Sequence, residues 1–213
     1  MTRTSKLILA ASALALAGCS STGGGGGGIG NGYYSLVRVR SVSVGDGSMA
    51  VTAPRPWNRT RTSIFAFDDV RQVEDWTLNG PLLDGISFIT GLRNNRWIIR
   101  QDRTEDRQVP RFRSNMSAPE ITAMLESFFR VRAGSVDFRT TSLQPRQFLG
   151  TNGFQFDFEH LDSDELWRRG RAVGAVVNGR LYLILYDAAR AHYYASAIGD
   201  FEAIVASARL RRR

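Results

Sequence analysis

Residues 171–186 read RAVGAVVNGRLYLILY, and this stretch decides the fold. Asn178-Gly179 sits between two runs rich in apolar residues. Asn and Gly accept the positive φ of a two-residue hairpin turn, so the pair joins two antiparallel strands, Arg171 to Val177 and Arg180 to Tyr186. Side chains alternate across a strand. In Leu181-Tyr182-Leu183-Ile184-Leu185-Tyr186 both faces are apolar, which predicts a central strand covered on both sides.

Working outward, Phe154, Phe156 and Phe158 line one face of the preceding strand, with Gln155, Asp157 and Glu159 on the other. Asp162-Ser163-Asp164 reads as a turn and Val136 to Arg139 as a further strand. The first clear helix begins at Ser117. Ser117-Ala118-Pro119-Glu120 fits a capping box, and Ile121, Met124, Leu125, Phe128 and Phe129 follow at helical spacing. Gly134 is its expected stop. A last helix is expected from a cap at Asp200, with Phe201, Ile204, Val205 and Ala208 as its apolar stripe. Earlier, Tyr34 to Val44 reads as one strand turned by Gly45-Asp46-Gly47 and returning over Met49 to Thr52, with Pro54 and Pro56 ending the sheet there. Ile64 to Phe67 and Arg96 to Arg100 are short strand candidates. The expected class is α+β, an antiparallel sheet with helices packed on it.

At 213 residues, 43% apolar and 23% charged, the chain has the composition of one globular domain and not of a disordered tail or a collagen. A lone cysteine excludes an internal disulfide, an iron–sulfur cluster and a cysteine-rich zinc site. With only two histidines as well, no cofactor and no metal is expected.

The leader carries an address. Arg3 and Lys6 precede Leu7 to Ala17, an uncharged run. Eleven helical residues span about 16 Å against a bilayer core of ~30 Å, so the run is a signal core and not a spanning helix. Leu16-Ala17-Gly18-Cys19 then resembles the lipobox of bacterial lipoproteins. The resemblance implies cleavage before Cys19, diacylglycerol on its sulfur and a third acyl chain on its new amino group. Residues 1–18 would be signal peptide, and an anchored thiol cannot be a nucleophile. Ser20 stands where Asp favours inner-membrane retention in enterobacterial lipoproteins, which points to the outer membrane, with the periplasmic side of the inner membrane as the alternative. Residues 19–32 form a tether, in which eight of the thirteen residues after the cysteine are glycine. At 5–6 Å × √n it reaches roughly 20 Å. Residues 33–213 are left as one α+β domain.

The order of elements from Phe148 onward resembles the PsbP-like α/β/α sandwich. The features are the Asn178-Gly179 hairpin, the Leu-Tyr strand, His192-Tyr193-Tyr194 and a closing helix with Phe201-Glu202, Ile204-Val205 and Ser207, together with Pro54-x-Pro56-Trp57. Glu74-Asp75-Trp76-Thr77-Leu78-Asn79-Gly80-Pro81 and Asp84 resemble a group of proteobacterial lipoproteins. The resemblance implies a binding or assembly accessory, and no catalytic or metal residue is carried over from it.

Asp157, Glu159, His160, Asp162, Asp164 and Glu165 are the densest acidic cluster. A calcium loop would need a glycine that is missing there, so pairing with Arg169 and Arg171 is the favoured reading. Trp76, Asn79, Asp84, His192 and Tyr193 are the best candidates for a ligand pocket. Against that stand a core role for Trp76, turn chemistry for Asn79-Gly80-Pro81, and a partly buried, backbone-bonded His192. Gly134-Ser135 is a helix exit and not a presented nucleophile. The formal charge is +8, and +6 without Arg3 and Lys6. No stacking aromatics accompany the arginines, so nucleic acid is not an expected partner. An envelope protein or an anionic envelope component is, beside the membrane itself. Arg93 to Arg113 is expected to be a solvated loop, and Arg209 to Arg213 a frayed tail. The function expected is a lipid-anchored, non-catalytic accessory; the alternative is a cell-envelope hydrolase using the clustered carboxylates or His192.

Overall fold

The computed structural model describes residues 34–60, 72–99, 104–131 and 133–211. Its centre is the hairpin of β9 (Trp167–Val177) and β10 (Arg180–Ala189), turned by Asn178 at φ 49° and Gly179 at φ 71°. The chain reaches it through β7 (Asp137–Phe148) and β8 (Thr151–Leu161), each antiparallel to the next. On its other side β10 pairs antiparallel with β6 (Asp84–Arg93). Beyond β6 lie β5 (Val73–Thr77), β4 (Trp57–Thr60) and β1 (Tyr34–Val37). Among the described residues this makes an eight-stranded antiparallel sheet in the order β1-β4-β5-β6-β10-β9-β8-β7. A three-stranded sheet, β11-β3-β2, combines β2 (Ser41–Val44), β3 (Met49–Thr52) and β11 (Arg209–Leu210).

The two apolar faces of β10 serve two cores, as its sequence requires. Leu181, Leu183 and Leu185 pack with Ile121, Met124, Leu125, Phe128 and Phe129 of helix α1 (Ala118–Val131). Tyr182, Ile184 and Tyr186 pack on the other side with Phe201, Ile204 and Val205 of helix α2 (Tyr193–Ser207), and with Val44, Met49 and Val51 of the small sheet. The result is a three-layer α/β/α arrangement of class α+β. The Glu120 half of the expected capping box is formed: Glu120 accepts from the Ser117 backbone N–H at 2.7 Å and from its hydroxyl at 2.8 Å. Gly134, at φ 71°, ends the helix.

A row of small residues on β9 makes space for the β8 phenylalanines. Phe154 lies opposite Gly174, Phe156 opposite Ala172 and Phe158 opposite Gly170. A Cβ on Gly170 would stand 2.1 Å from the Phe158 ring, and one on Gly174 2.6 Å from Leu183 Cδ1. The rings sit where side chains on β9 would otherwise be.

Several sequence expectations are corrected. Tyr34 to Val44 is two strands in two sheets, because the chain turns at Arg38–Arg40, where the Arg40 N–H donates to the Arg38 carbonyl at 2.7 Å. Arg96 contributes only an isolated bridge to Phe112. The Arg93–Arg113 stretch is not merely solvated: Ile98, Ile99, Val109 and Phe112 are buried in the α1 core. The strand at Val136 starts at Asp137 and runs on to Phe148; Pro145 is tolerated within it because β7 is an edge strand. Asp200 lies inside α2, seven residues after its start, and pairs with Arg55 instead of capping. The C-terminal arginines up to Arg211 are not frayed. β11 pairs with β3, and the Arg211 N–H donates to the Ser48 carbonyl at 2.8 Å. Ile64 to Phe67 lies outside the described residues, as do the leader, Cys19 and the tether.

Candidate functional site

The pocket candidates come from both sides of β6 and β10, where Asp84 pairs with Ala188 in register. Trp76 is fully buried in the α2-side core, packs edge-on to Phe88 at 4.6 Å, and donates from Nε1 to Glu74 at 2.7 Å. Its role is in the core. Asp84 is also fully buried. One of its oxygens accepts from the Thr77 hydroxyl at 2.8 Å and from the backbone N–H groups of Leu78 at 2.8 Å and Asn79 at 3.2 Å. The other accepts from the Asn79 amide. Both carboxylate oxygens are thus engaged in holding the 77–80 turn, whose Gly80 sits at φ 112°. His192 is exposed, not partly buried; it adopts φ 70° at the start of α2 and meets the Tyr193 ring edge-on at 5.3 Å. The Tyr193 carbonyl accepts from the Tyr186 hydroxyl at 2.9 Å. The structure brings Trp76, Asn79 and Asp84 together as a turn with its pin, and leaves His192 and Tyr193 to begin a helix.

Asp157, Glu159 and Asp162 of the acidic cluster pair with basic side chains, while Asp164 accepts from the Leu166 backbone N–H at 3.0 Å. Asp157 takes two bonds from the Arg171 guanidinium, both 2.7 Å, and Arg171 also reaches Glu202 at 2.7 Å. Glu202 in turn pairs with Arg146 at 2.6 Å. The Asp157 hydrogen bonds raise the Arg171 pKa. Burial works against Glu202, yet Arg146 and Arg171 hold it below the usual carboxylate range. Glu159 faces Arg190 at 3.5 Å. Arg169, expected to join this pairing, lies instead over the Tyr194 ring at 4.8 Å. Among the described residues no group of three or more His, Cys, Asp or Glu is placed to hold a metal ion.

His160 points to the opposite face of β8, and there the structure assembles a constellation that sequence reasoning missed. The imidazole is 1% exposed. Nε2 lies 3.0 Å from Asp187, and Nδ1 lies 2.9 Å from both the Ser135 hydroxyl and Asp162. Arg168 closes the group, with Nε 2.5 Å from Asp162 and Nη1 3.7 Å from Asp187. Burial alone would lower the imidazole pKa, but the Asp187 and Asp162 carboxylates outweigh it and push the pKa up to about 9. Burial likewise opposes ionisation of Asp162, and His160 with Arg168 reverses the sign and holds it below the usual range. Two cations balance two anions.

Ser135, His160 and Asp187 carry the side chains of a hydrolytic triad, but the protonation state is wrong for one. A general base needs a free lone pair near neutral pH. This imidazole is held as a cation donating from both nitrogens, with Ser135 6% and Asp187 1% exposed. The arrangement fastens the α1 exit to β8, β9 and β10. The available signal was Asp187, a carboxylate directly after the apolar run Leu181 to Tyr186, which requires a buried cation to match it.

With the layers and this site described, the class is an α+β domain of PsbP-like fold. No protein-family model matches the chain, and no curated protein matches it by sequence. Among solved structures, cyanobacterial PsbP from Synechocystis sp. PCC 6803 is similar to it at 13% identity with a TM-score of 0.53, over 88% of this chain and 98% of that one. The Ran-binding protein Mog1p of Saccharomyces cerevisiae aligns at 9% identity and TM-score 0.43, over 80% of this chain and 94% of its own. LpqN of Mycobacterium tuberculosis, involved in cell envelope biogenesis, aligns at 8% identity and TM-score 0.35, over 84% and 86%. The PsbP likeness is one of fold. Among the described residues no helix is long and apolar enough to cross a membrane.

Proposed function

We propose that this chain is a lipoprotein anchored through Cys19 in the inner leaflet of the outer membrane, where its domain serves as a non-catalytic binding or assembly accessory. The observation that carries the reading is Leu16-Ala17-Gly18-Cys19, placed directly after a basic and apolar leader. Each part has a physical task. The small residues admit the backbone to a protease, and the thiol is the one side chain that can take lipid as a thioether. Buried methylenes contribute ~0.8 kcal/mol each, so several acyl chains on one residue hold the chain to the bilayer. The glycine tether then keeps the domain free to meet partners roughly 20 Å away.

The accessory role is supported by what the domain does with its polar groups. Asp157 and Glu202 are tied to arginines, Asp84 holds a turn, and His160 is locked as a cation between two carboxylates. The partner expected is an envelope protein or an anionic component of the envelope. The test is cell fractionation of the wild type and Cys19→Ser, followed by in-cell crosslinking of the lipidated form. The wild type is expected in the outer-membrane fraction with a recurrent crosslinked partner, and Cys19→Ser is expected to lose both. Equal envelope association by the two would overturn the anchor. Turnover of esters, glycans or peptides by the purified protein would overturn the accessory role.

A further inference from the structure

One cleft of about 240 Å³ lies where the β9–β10 hairpin meets the small sheet. Arg180, Asn178 and Tyr182 line it from the hairpin, and Ser48, Leu210 and Arg211 from the small sheet and its turn. Its chemistry is one-sided. Neither Arg180 nor Arg211 has a carboxylate partner among the described residues; the Arg211 guanidinium donates only to the Ser43 hydroxyl. Arg93 stands directly across from Arg180 in the strand register, so two like charges face each other. That opposition is unfavourable unless an anion lies close.

Tyr182 adds a hydroxyl donor to the same cleft: it is 7% exposed and lines it from β10. Beside it, a Cβ built on Gly91 would lie 3.4 Å from Asp46 Oδ2, 3.4 Å from the Tyr182 hydroxyl and 3.5 Å from Ser48 Oγ, so three oxygens sit around one point there. Asp46 Oδ1 accepts the Ser48 backbone N–H at 2.9 Å, and Asp46 is not one of the residues lining the cleft.

We propose that this cleft binds a phosphate ester. The Arg180 and Arg211 guanidinia hold the phosphoryl oxygens, the Tyr182 hydroxyl donates to one of them from the floor, and Leu210 borders the carbon portion. Guanidinium forks match phosphate geometry and make charge-assisted bonds. The volume equals about eight waters at ~30 Å³ each, room for a glycerol phosphate and more than a bare ion needs. The same chemistry occurs in a free ester and in a phospholipid headgroup. The site is built from the domain alone and does not depend on the Cys19 anchor.

Isothermal titration of the full chain in a phosphate-free neutral detergent tests it, with sn-glycerol 3-phosphate as one probe and phosphatidylglycerol in mixed micelles as the other. Saturable binding of either probe is expected, weakened by about tenfold or more in Arg180→Gln and in Arg211→Gln. Tyr182→Phe is expected to weaken it several-fold while the thermal midpoint stays put, which separates lost contact from lost fold. Binding of glycerol phosphate alone assigns the ligand to a soluble ester; binding of phosphatidylglycerol that glycerol phosphate displaces assigns it to a headgroup. No saturable heat with either probe would overturn the proposal, and so would Arg→Gln variants that bind as the wild type does.

Discussion

Replacing His160 with Gln makes the folding stability of this domain respond differently to pH, and the size of the change follows from the site. The imidazole has a folded pKa of about 9 against an ordinary 6.5. A pKa raised by folding contributes stability that is fully present below 6.5 and lost as pH rises through 9. Over that window the folded chain holds one more proton at this site than the unfolded chain. Stability therefore falls by about 1.4 kcal/mol per pH unit, and by about 3 kcal/mol in total as an order of magnitude. His160→Gln keeps one amide donor for Asp187 but leaves Asp162, Asp187 and Arg168 with an uncompensated negative charge. It is expected to be less stable than the wild type by about 3–5 kcal/mol at pH 6. Urea denaturation of both forms at pH 6, 7.5 and 9 reads the difference directly, and groups elsewhere cancel in the subtraction. The wild-type advantage is expected to shrink steadily from pH 6.5 to 9. A constant difference across the range would refute the protonated imidazole, and with it the argument that this serine–histidine–aspartate set cannot act as a base.

Other consequences follow from particular contacts. Gly170→Ala puts a methyl group into the Phe158 ring and is expected to cost about 1–3 kcal/mol in chemical denaturation. Asp84→Ala leaves the Thr77 hydroxyl and two backbone N–H groups without their acceptor; a loss of roughly 2–4 kcal/mol is expected, with faster amide exchange at Leu78 and Asn79. Phe129→Ala empties the centre of the α1 core, where that ring meets Phe128, Phe138, Phe158 and His160, and is expected to cost about 3–5 kcal/mol. Truncation after Ala208 removes β11 and is expected to loosen β3, seen as raised amide exchange at Met49 and Ala50.

How much of this was readable beforehand depended on whether the signal was local. The Asn178-Gly179 turn and the two-faced Leu-Tyr strand are local patterns, and the structure forms both, together with the Ser117–Glu120 contact at the start of α1 and the phenylalanine face of β8. The break at Arg38–Arg40 was hidden because no glycine or proline marks it; the two halves separate only because each finds a different sheet. Asp200 has the chemistry of a cap, but the start of α2 is set by the end of β10 and a positive φ at His192, neither of which has a composition signature. Burial of charge was the least legible feature. Asp157, Glu159 and His160 look alike in sequence, yet alternation sends His160 into a closed network and the acids toward arginines. Arg180 and Arg211 of the cleft are 31 positions apart in the chain and line it together only because β11 returns to β3.

What Cys19 carries decides where the chain resides. Mass spectrometry of the amino-terminal peptide released from envelope-extracted protein tests this most directly. The account predicts a chain that begins at Cys19, with a thioether-linked diacylglycerol and an amide-linked fatty acid. A peptide that reads through residues 16–20 with a free thiol would contradict it.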